Sequence, residues 1–320
     1  MERKLVEVAY EITHICNLRC THCYNKSSLG SRYEMTTEDA IRAIEKLGAF
    51  GVKKVKIGGG EPMARKDLFE IYTRCTSLGF ETQFSTNGIL VMQNLEKMAE
   101  SGVSKIQVSL DNVGEKHDAI RNYHGMFGIV ENAVRELNRN NIRINIATTL
   151  TTANHNDLKA ILDFCAGNDI ERWKIMKYIP KSSKDPLLLP KEEYRKAVLE
   201  LLGYKEQSKE PEIIIAREFD LIHEPSDYND MQCFGGKSFF SLKPNGDVTP
   251  CSYITDIVCG NITRDSLESI WNSEKMIAFS RDYYDTNCSI CGKCKGGCKA
   301  ISYFMEKEIK CDPYCWVKGR

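Results

Sequence analysis

Apolar positions along the first two thirds of this chain alternate between two rhythms. Short runs such as Val6-Glu7-Val8-Ala9-Tyr10-Glu11-Ile12 read as strands, and further strand-like runs begin near Lys53, Phe80, Ser104, Ile142 and Glu171. The stretches between them carry apolar residues three and four apart, the signature of amphipathic helices. One stripe passes through Ile41, Ile44 and Leu47 and is entered through Thr36-Thr37-Glu38-Asp39, which looks like a capping sequence. Another passes through Leu68, Ile71, Tyr72, Cys75 and Leu78 and is closed by Gly79. Cys75, and Cys165 in step with Leu158, Ile161 and Leu162, lie on such stripes and are expected as core filler, free cysteine being among the most buried residue types. Six strand-helix units predict an α/β fold, a partial six-stranded (β/α) TIM-like barrel with its chemistry at the carboxyl ends of the strands. A loop follows over 180–190, then a helix from Tyr194 to Leu202 and a strand from Glu212 to Ala216.

Composition narrows the class. At 320 residues the chain is long enough for one barrel and a smaller appendage. Lys and Arg number 44 and Asp and Glu 44, so bulk charge gives no reason to expect nucleic acid or an anionic membrane as partner. No apolar run approaches the length needed to span a bilayer, and Met1-Glu2-Arg3-Lys4 leads into a strand without a signal-peptide core, so a cytoplasmic location is expected. In that setting 14 cysteines read as metal ligands rather than disulfides.

Three of them, Cys16, Cys20 and Cys23, fall within eight residues directly after the first strand. Thiols this close on one loop can converge on one metal centre, yet three thiolates leave one iron of a cubane cluster without a protein ligand. A cofactor can bind at that open iron and be cleaved by an electron from the cluster, so that the cofactor carries the difficult chemistry. The other reading is a zinc knuckle or a set of core thiols. Zinc sites usually close with a fourth Cys or His nearby, which His14 or His22 could supply, although not at a finger-like offset.

At this motif the chain resembles the radical S-adenosylmethionine superfamily, whose signature is CxxxCxxC with an aromatic-type residue before the last cysteine, the slot of His22 here. Gly59-Gly60-Glu61-Pro62 is similar to the family's GGEP strand end, which holds the methionyl amino group; adjacent glycines let backbone approach a ligand. Ser85 and Asn87, then Ser109 and Asp111, end the next two strand-like runs, where the family lines its S-adenosylmethionine pocket. The pattern SxD followed by His117, Asp118 and Arg121 is similar to the family's ribose and carboxylate contacts, with Arg121 as candidate carboxylate clamp.

From Cys233 the composition changes, and nine of the 14 cysteines fall in the last 88 residues. A pair of zinc ribbons would also use CxxC knuckles. The order of Cys233, Gly246, Cys251, CxxCxxCxxxC and Asp312-Pro313-Tyr314-Cys315 instead resembles the SPASM extension of radical S-adenosylmethionine enzymes, which carries auxiliary 4Fe-4S clusters. The expected organisation is a barrel over 1–205, a connecting segment over 206–232 and a small Cys-rich iron-sulfur domain over 233–320. By resemblance, the first auxiliary cluster would use Cys233, Cys251 and Cys298, and the second Cys288, Cys291, Cys294 and Cys315. Only Gly292 and Lys293 separate Cys291 from Cys294 where the family usually has five residues, so Cys311 is a spare. Cys259 is a fourth ligand of the first auxiliary cluster, a hydrogen-atom donor, or a buried thiol.

The resemblance implies three 4Fe-4S clusters, S-adenosylmethionine as cofactor, and an electron donor such as flavodoxin or ferredoxin. It implies a 5'-deoxyadenosyl radical that removes a hydrogen atom from a substrate at the barrel mouth. A peptide or protein undergoing crosslinking, oxidation or epimerisation is the first expectation, and a small molecule such as an aminocyclitol or sugar the second. A multi-cluster electron-transfer protein is a third, though a carrier has no need of the GGEP run or Arg121. Ser252 stands where sulfatase-maturing relatives have an aspartate base, which argues against that oxidation. Only 15 residues precede Cys16, so leader-peptide recognition is expected from a separate protein or from the surface of the barrel and extension themselves.

Overall fold

The computed structural model describes residues 3–25, 33–215, 233–283 and 295–315. The six expected strands are present as β1 (Glu7–Thr13), β2 (Lys54–Gly59), β3 (Glu81–Thr86), β4 (Lys105–Ser109), β5 (Arg143–Leu150) and β6 (Arg172–Lys177). They pair in that order, all parallel, so their carboxyl ends share one side. Alternate residues supply the core: Val8, Tyr10 and Ile12, then Ile57, Phe84, Val108, Ile146 and Trp173, none more than 1% exposed. Trp173 satisfies its buried ring N–H by donating to Thr148 Oγ1 at 2.9 Å.

Helices α1 (Thr37–Phe50), α2 (Leu68–Ser77), α3 (Val91–Glu100), α4 (Gly114–Arg121), α5 (Met126–Arg139), α6 (Leu158–Ala166) and α7 (Lys191–Gln207) fill the crossovers. The Thr36 hydroxyl accepts the Asp39 N–H and starts α1; Gly51, at φ 92°, ends it with its N–H on the Leu47 and Gly48 carbonyls. Cys75 in α2 and Cys165 in α6 are fully buried in the apolar core, as the stripes predict. Leu78 is not in the core stripe: α2 stops at Ser77, and Leu78 is 36% exposed one residue past its end.

The sheet continues beyond both ends of the six. The strand expected near Glu212 is β7 (Glu212–Ile215), which pairs parallel with β6 inside what composition alone marks as a connecting segment. On the other side β8 (Phe239–Leu242) adds parallel to β1, then β9 (Asp247–Thr249) and β10 (Gly260–Asn261) follow antiparallel. The Cys-rich region therefore shares a sheet with the barrel. It also contributes α8 (Leu267–Trp271), α9 (Glu274–Ser280) and α10 (Lys299–Glu306). Lys46 of α1 donates to the Ile262 carbonyl at 2.6 Å, fastening barrel to extension a second time.

A third tie is electrostatic. Glu11 on β1 and Lys243 just after β8 form a buried ion pair, and Lys243 Nζ also donates to the Ser252 carbonyl at 2.8 Å. Burial pushes the Glu11 carboxyl up, and Lys243 pulls it part of the way back. Lys243→Met strands that carboxyl and should cost about 3–5 kcal/mol, of which Glu11→Leu in the same chain should recover most. A Glu11 pKa above its unfolded value of 4.5 means that the folded chain binds the extra proton, so the loss in Lys243→Met should grow as pH rises above 4.5. Urea midpoints across pH measure both; a pH-independent loss would remove Glu11 from the explanation.

Candidate cluster and cofactor site

The loop after β1 carries Cys16, Cys20 and Cys23, and its shape is imposed by the end of β2. β1 slips register between Glu11 and Thr13, and past the slip the Gly60 and Glu61 N–H groups donate to the Thr13 and Ile15 carbonyls, both at 2.8 Å. A Cβ on Gly59 would sit 2.5 Å from the Thr13 carbonyl, and one on Gly60 would run into the Ile15 carbonyl. The glycines expected to admit a ligand are thus needed first to admit the cysteine loop. The loop is pinned again by Thr21 N–H on the Ile120 carbonyl at 3.0 Å and by Asn87 Nδ2 on Asn17 Oδ1 at 2.8 Å.

Glu61 and Pro62 turn the chain out of β2. Pro62 opens a short 3-10 turn, Pro62–Ala64, capped by the Glu61 side chain. The Glu61 carboxylate, 1% exposed, accepts from Met63 N–H, Thr86 Oγ1 and, at 2.8 Å, Asn87 N–H. Burial pushes its pKa up to about 7 against these donors. Both oxygens are committed to joining β2 to β3. Ser85 Oγ accepts from Gln107 at 2.9 Å, and Asn87 Oδ1 from Ile89 N–H.

Two of the three thiols each have a donor at the sulfur. Cys16 Sγ accepts the Leu18 N–H at 3.4 Å; burial pushes this thiol up to about 11, with Glu61, Cys20 and Cys23 adding to the rise. Cys20 is likewise raised by burial, while Arg121 opposes the rise and donates from Nη1 to its Sγ at 3.7 Å. Among the described residues no three His, Cys, Asp or Glu side chains converge on an ion-sized point. Ligands of a cubane meet separate corner irons, so three neighbouring thiols, two of them with an N–H or guanidinium donor at the sulfur, suit a cluster.

Arg121 is not an open clamp. Its Nη2 lies 2.7 Å from Asp111 Oδ2, and Asp111 is fixed in turn by accepting the Thr149 N–H at 2.8 Å. His22 Nε2 lies 3.5 Å from the same Asp111 oxygen; burial lowers the His22 pKa although Asp111 works the other way. Ser109 ends β4 half-buried beside this group.

In the extension, the half-buried Cys233 and Cys251 are close enough to raise the Cys251 thiol, which burial pushes up to about 11, and Tyr253 and Ile254 N–H groups donate to Cys251. Cys298 is buried, and the next residue, Lys299, is a buried cation that feels Cys233 and Cys251 and donates to the Phe279 and Arg281 carbonyls. Cys259 has other neighbours, Ser273, Lys275 and Arg3, and burial pushes it up to about 11. Cys311 Sγ lies 3.8 Å from the Tyr283 carbonyl, and the Cys315 carbonyl accepts from Lys191 at 2.7 Å. Cys288, Cys291 and Cys294 lie outside the described residues. Every described cysteine is free of disulfides.

Two features escaped the sequence reading. Tyr24, 40% exposed, packs against Tyr253 with ring centroids 4.7 Å apart, close to Glu11, Cys23 and Cys251. A tyrosine directly after Cys23 and another two residues past Cys251 were the available signal. Lys177, the last residue of β6, forms a buried pair with Asp312 at 2.7 Å beneath the Tyr194 and Tyr314 rings; a lysine in a strand and an aspartate 135 residues later give no sequence signal.

An open parallel barrel with three thiols at its catalytic end, joined to a second cysteine-bearing region, defines a class of iron-sulfur enzyme. Residues 10–165 match the Radical SAM superfamily and residues 233–295 the SPASM iron-sulfur cluster-binding domain, and the chain is a radical SAM enzyme with a C-terminal SPASM domain. It is 27% identical over 341 residues to an AdoMet-dependent heme synthase of Oleidesulfovibrio alaskensis, covering 98% of this chain and 87% of that protein. It is 27% identical over 329 residues to the mycofactocin maturase MftC of Mycolicibacterium smegmatis, covering 98% and 82%. Among solved structures it resembles Streptococcus suis SuiB bound to the precursor peptide SuiA, with TM-score 0.79, 18% identity and coverage of 98% and 76%.

Gly60→Ala should displace the Ile15 carbonyl and with it the cysteine loop, lowering iron content after anaerobic reconstitution while far-ultraviolet circular dichroism stays near wild type. Gly58→Ala is the control, because a Cβ there meets nothing within 4 Å. Equal iron in the Gly60 and Gly58 variants would refute the close-approach role.

Proposed function

We propose that this enzyme removes a hydrogen atom from a peptide or protein substrate at the barrel mouth, during a post-translational crosslink, oxidation or epimerisation. When bound, a cluster at Cys16, Cys20 and Cys23 with S-adenosylmethionine supplies the carbon-centred oxidant for that step. The protein's own part is to fix the cysteine loop through Gly59 and Gly60, to present Ser85, Asn87, Ser109 and Asp111 around the cofactor, and to shield the site with the extension. Auxiliary clusters at Cys233, Cys251 and Cys298, and at Cys288, Cys291, Cys294 and Cys315, belong to the same proposal. No helix among the described residues is long and apolar enough to cross a membrane.

The observation that carries the peptide reading is the charge balance at the barrel mouth. Among the described residues, the buried cations Arg121, Lys177 and Lys243 each face a buried carboxylate, namely Asp111, Asp312 and Glu11, and the buried Lys299 is taken up by the Phe279 and Arg281 carbonyls. A substrate with several carboxylates would want unpaired cations at this end, whereas a peptide backbone or apolar side chain would not. The mycofactocin maturase likeness spans nearly the whole chain and agrees. The heme synthase likeness is equally long and favours a second reading, a porphyrin substrate.

Incubation of the anaerobically reconstituted enzyme with reductant, S-adenosylmethionine and either peptides encoded beside its gene or Fe-coproporphyrin III separates the two. The peptide reading expects 5'-deoxyadenosine formed in step with a peptide mass change, and neither product from a Cys16/Cys20/Cys23→Ala chain. Turnover of the porphyrin with the peptides untouched would replace it.

A further inference from the structure

Arg121 sits in a place suited to a task other than holding the cofactor. It ends α4 and is 7% exposed, so its charge is present at every working pH in a medium that screens poorly. Two of its nitrogens are engaged: Nη1 donates to Cys20 Sγ at 3.7 Å, and Nη2 pairs with Asp111 Oδ2 at 2.7 Å. Asp111 cannot swing away, because its other oxygen accepts the Thr149 N–H and its own N–H donates to His117 Nδ1 at 3.2 Å. The result is an ordered row from Cys20 sulfur through guanidinium cation to carboxylate anion, built on the ends of β4, β5 and α4.

Reduction of an iron-sulfur cluster adds one negative charge, and the potential at which this happens is set by charge, hydrogen bonds at the sulfurs and exposure. A cation donating to a ligand sulfur favours the reduced state. An anion one guanidinium farther out opposes it, more weakly for the added distance.

We propose that Arg121 is a positioning residue that raises the reduction potential of the cluster held by Cys16, Cys20 and Cys23, with Asp111 as an opposing charge that limits the rise. The proposal rests on the reading that these three cysteines hold a cluster. It reassigns Arg121 from a contact with the cofactor's carboxylate to a contact with the cluster's own ligand.

The test is a potentiometric titration of the full-length, anaerobically reconstituted enzyme without S-adenosylmethionine, followed by electron paramagnetic resonance. The relevant signal is the one missing from the Cys16/Cys20/Cys23→Ala chain. Arg121→Gln should move its midpoint to more negative potential. Asp111→Asn, in which the amide oxygen can still accept the Thr149 N–H, should move it to more positive potential, and Arg121→Lys should lie between wild type and Arg121→Gln. Opposite shifts from the two members of one ion pair are what charge produces and what a general loosening of the loop does not. An unchanged midpoint in Arg121→Gln, or shifts of the same sign in both variants, would overturn the assignment. Should Arg121→Gln take up no iron, Asp111→Asn decides alone: a positive shift supports the proposal and a zero or negative shift overturns it. A wild-type protein with no signal that depends on the three cysteines would instead remove the cluster reading, and this inference with it.

Discussion

The approach of one backbone to another at the end of β2 governs the geometry of this enzyme. Gly59 and Gly60 bring their strand so near the Thr13 and Ile15 carbonyls that no side chain fits between. Two hydrogen bonds then carry the pleat of the sheet over into a loop that is not a strand. Glu61, the next residue, cannot follow; it folds inward and fastens Thr86 and Asn87, and Asn87 reaches back to Asn17 inside the cysteine loop. A closed circuit results, from loop to β2 to β3 and back to loop, which ties the start of the cysteine loop to the sheet.

Around this circuit the charged interior is organised in pairs that share a location. Arg121 and Asp111 adjoin Cys20, Lys243 and Glu11 adjoin the Ser252 carbonyl next to Cys251, and Lys177 and Asp312 adjoin the segment that bears Cys311 and Cys315. Buried ion pairs contribute little net stability, since desolvation offsets most of their attraction. Their value lies in direction: each fixes a cysteine segment against the carboxyl end of a strand, where parallel strands diverge and apolar packing thins out. Lys191, donating to the Cys315 carbonyl, does the same with one charge and one dipole.

Much of this was legible in the residues because it follows from local rules. The six strand starts fall within about one residue of the observed ones, since the period-two runs and the capping signal at Thr36 are set by nearest neighbours. Spacing left zinc open for the cysteine motifs, which became legible through their resemblance to the radical S-adenosylmethionine and SPASM patterns. What could not be read was pairing across distance. That Gly59 and Gly60 face backbone, that Arg121 already has partners, that Tyr24 meets Tyr253, and that the extension lies on β1 all depend on strands bringing together positions far apart in sequence. Cys259 shows the same limit. Spacing left it as a cluster ligand, a hydrogen-atom donor or a buried thiol, and only the fold shows that its neighbours are Arg3, Ser273 and Lys275.

The seat of β1 between β2 and β8 bears on how the enzyme is made. Glu7 pairs with Lys54 on one side and with Phe239 on the other, so β1 leaves the ribosome 232 residues ahead of one of its two partners. At roughly 5–20 residues per second, that interval lasts on the order of ten to fifty seconds. Over that interval β1 lacks its β8 partner and Glu11 lacks Lys243. β1 therefore waits far longer for one neighbour than for the other, and the order of synthesis becomes part of how the sheet is completed.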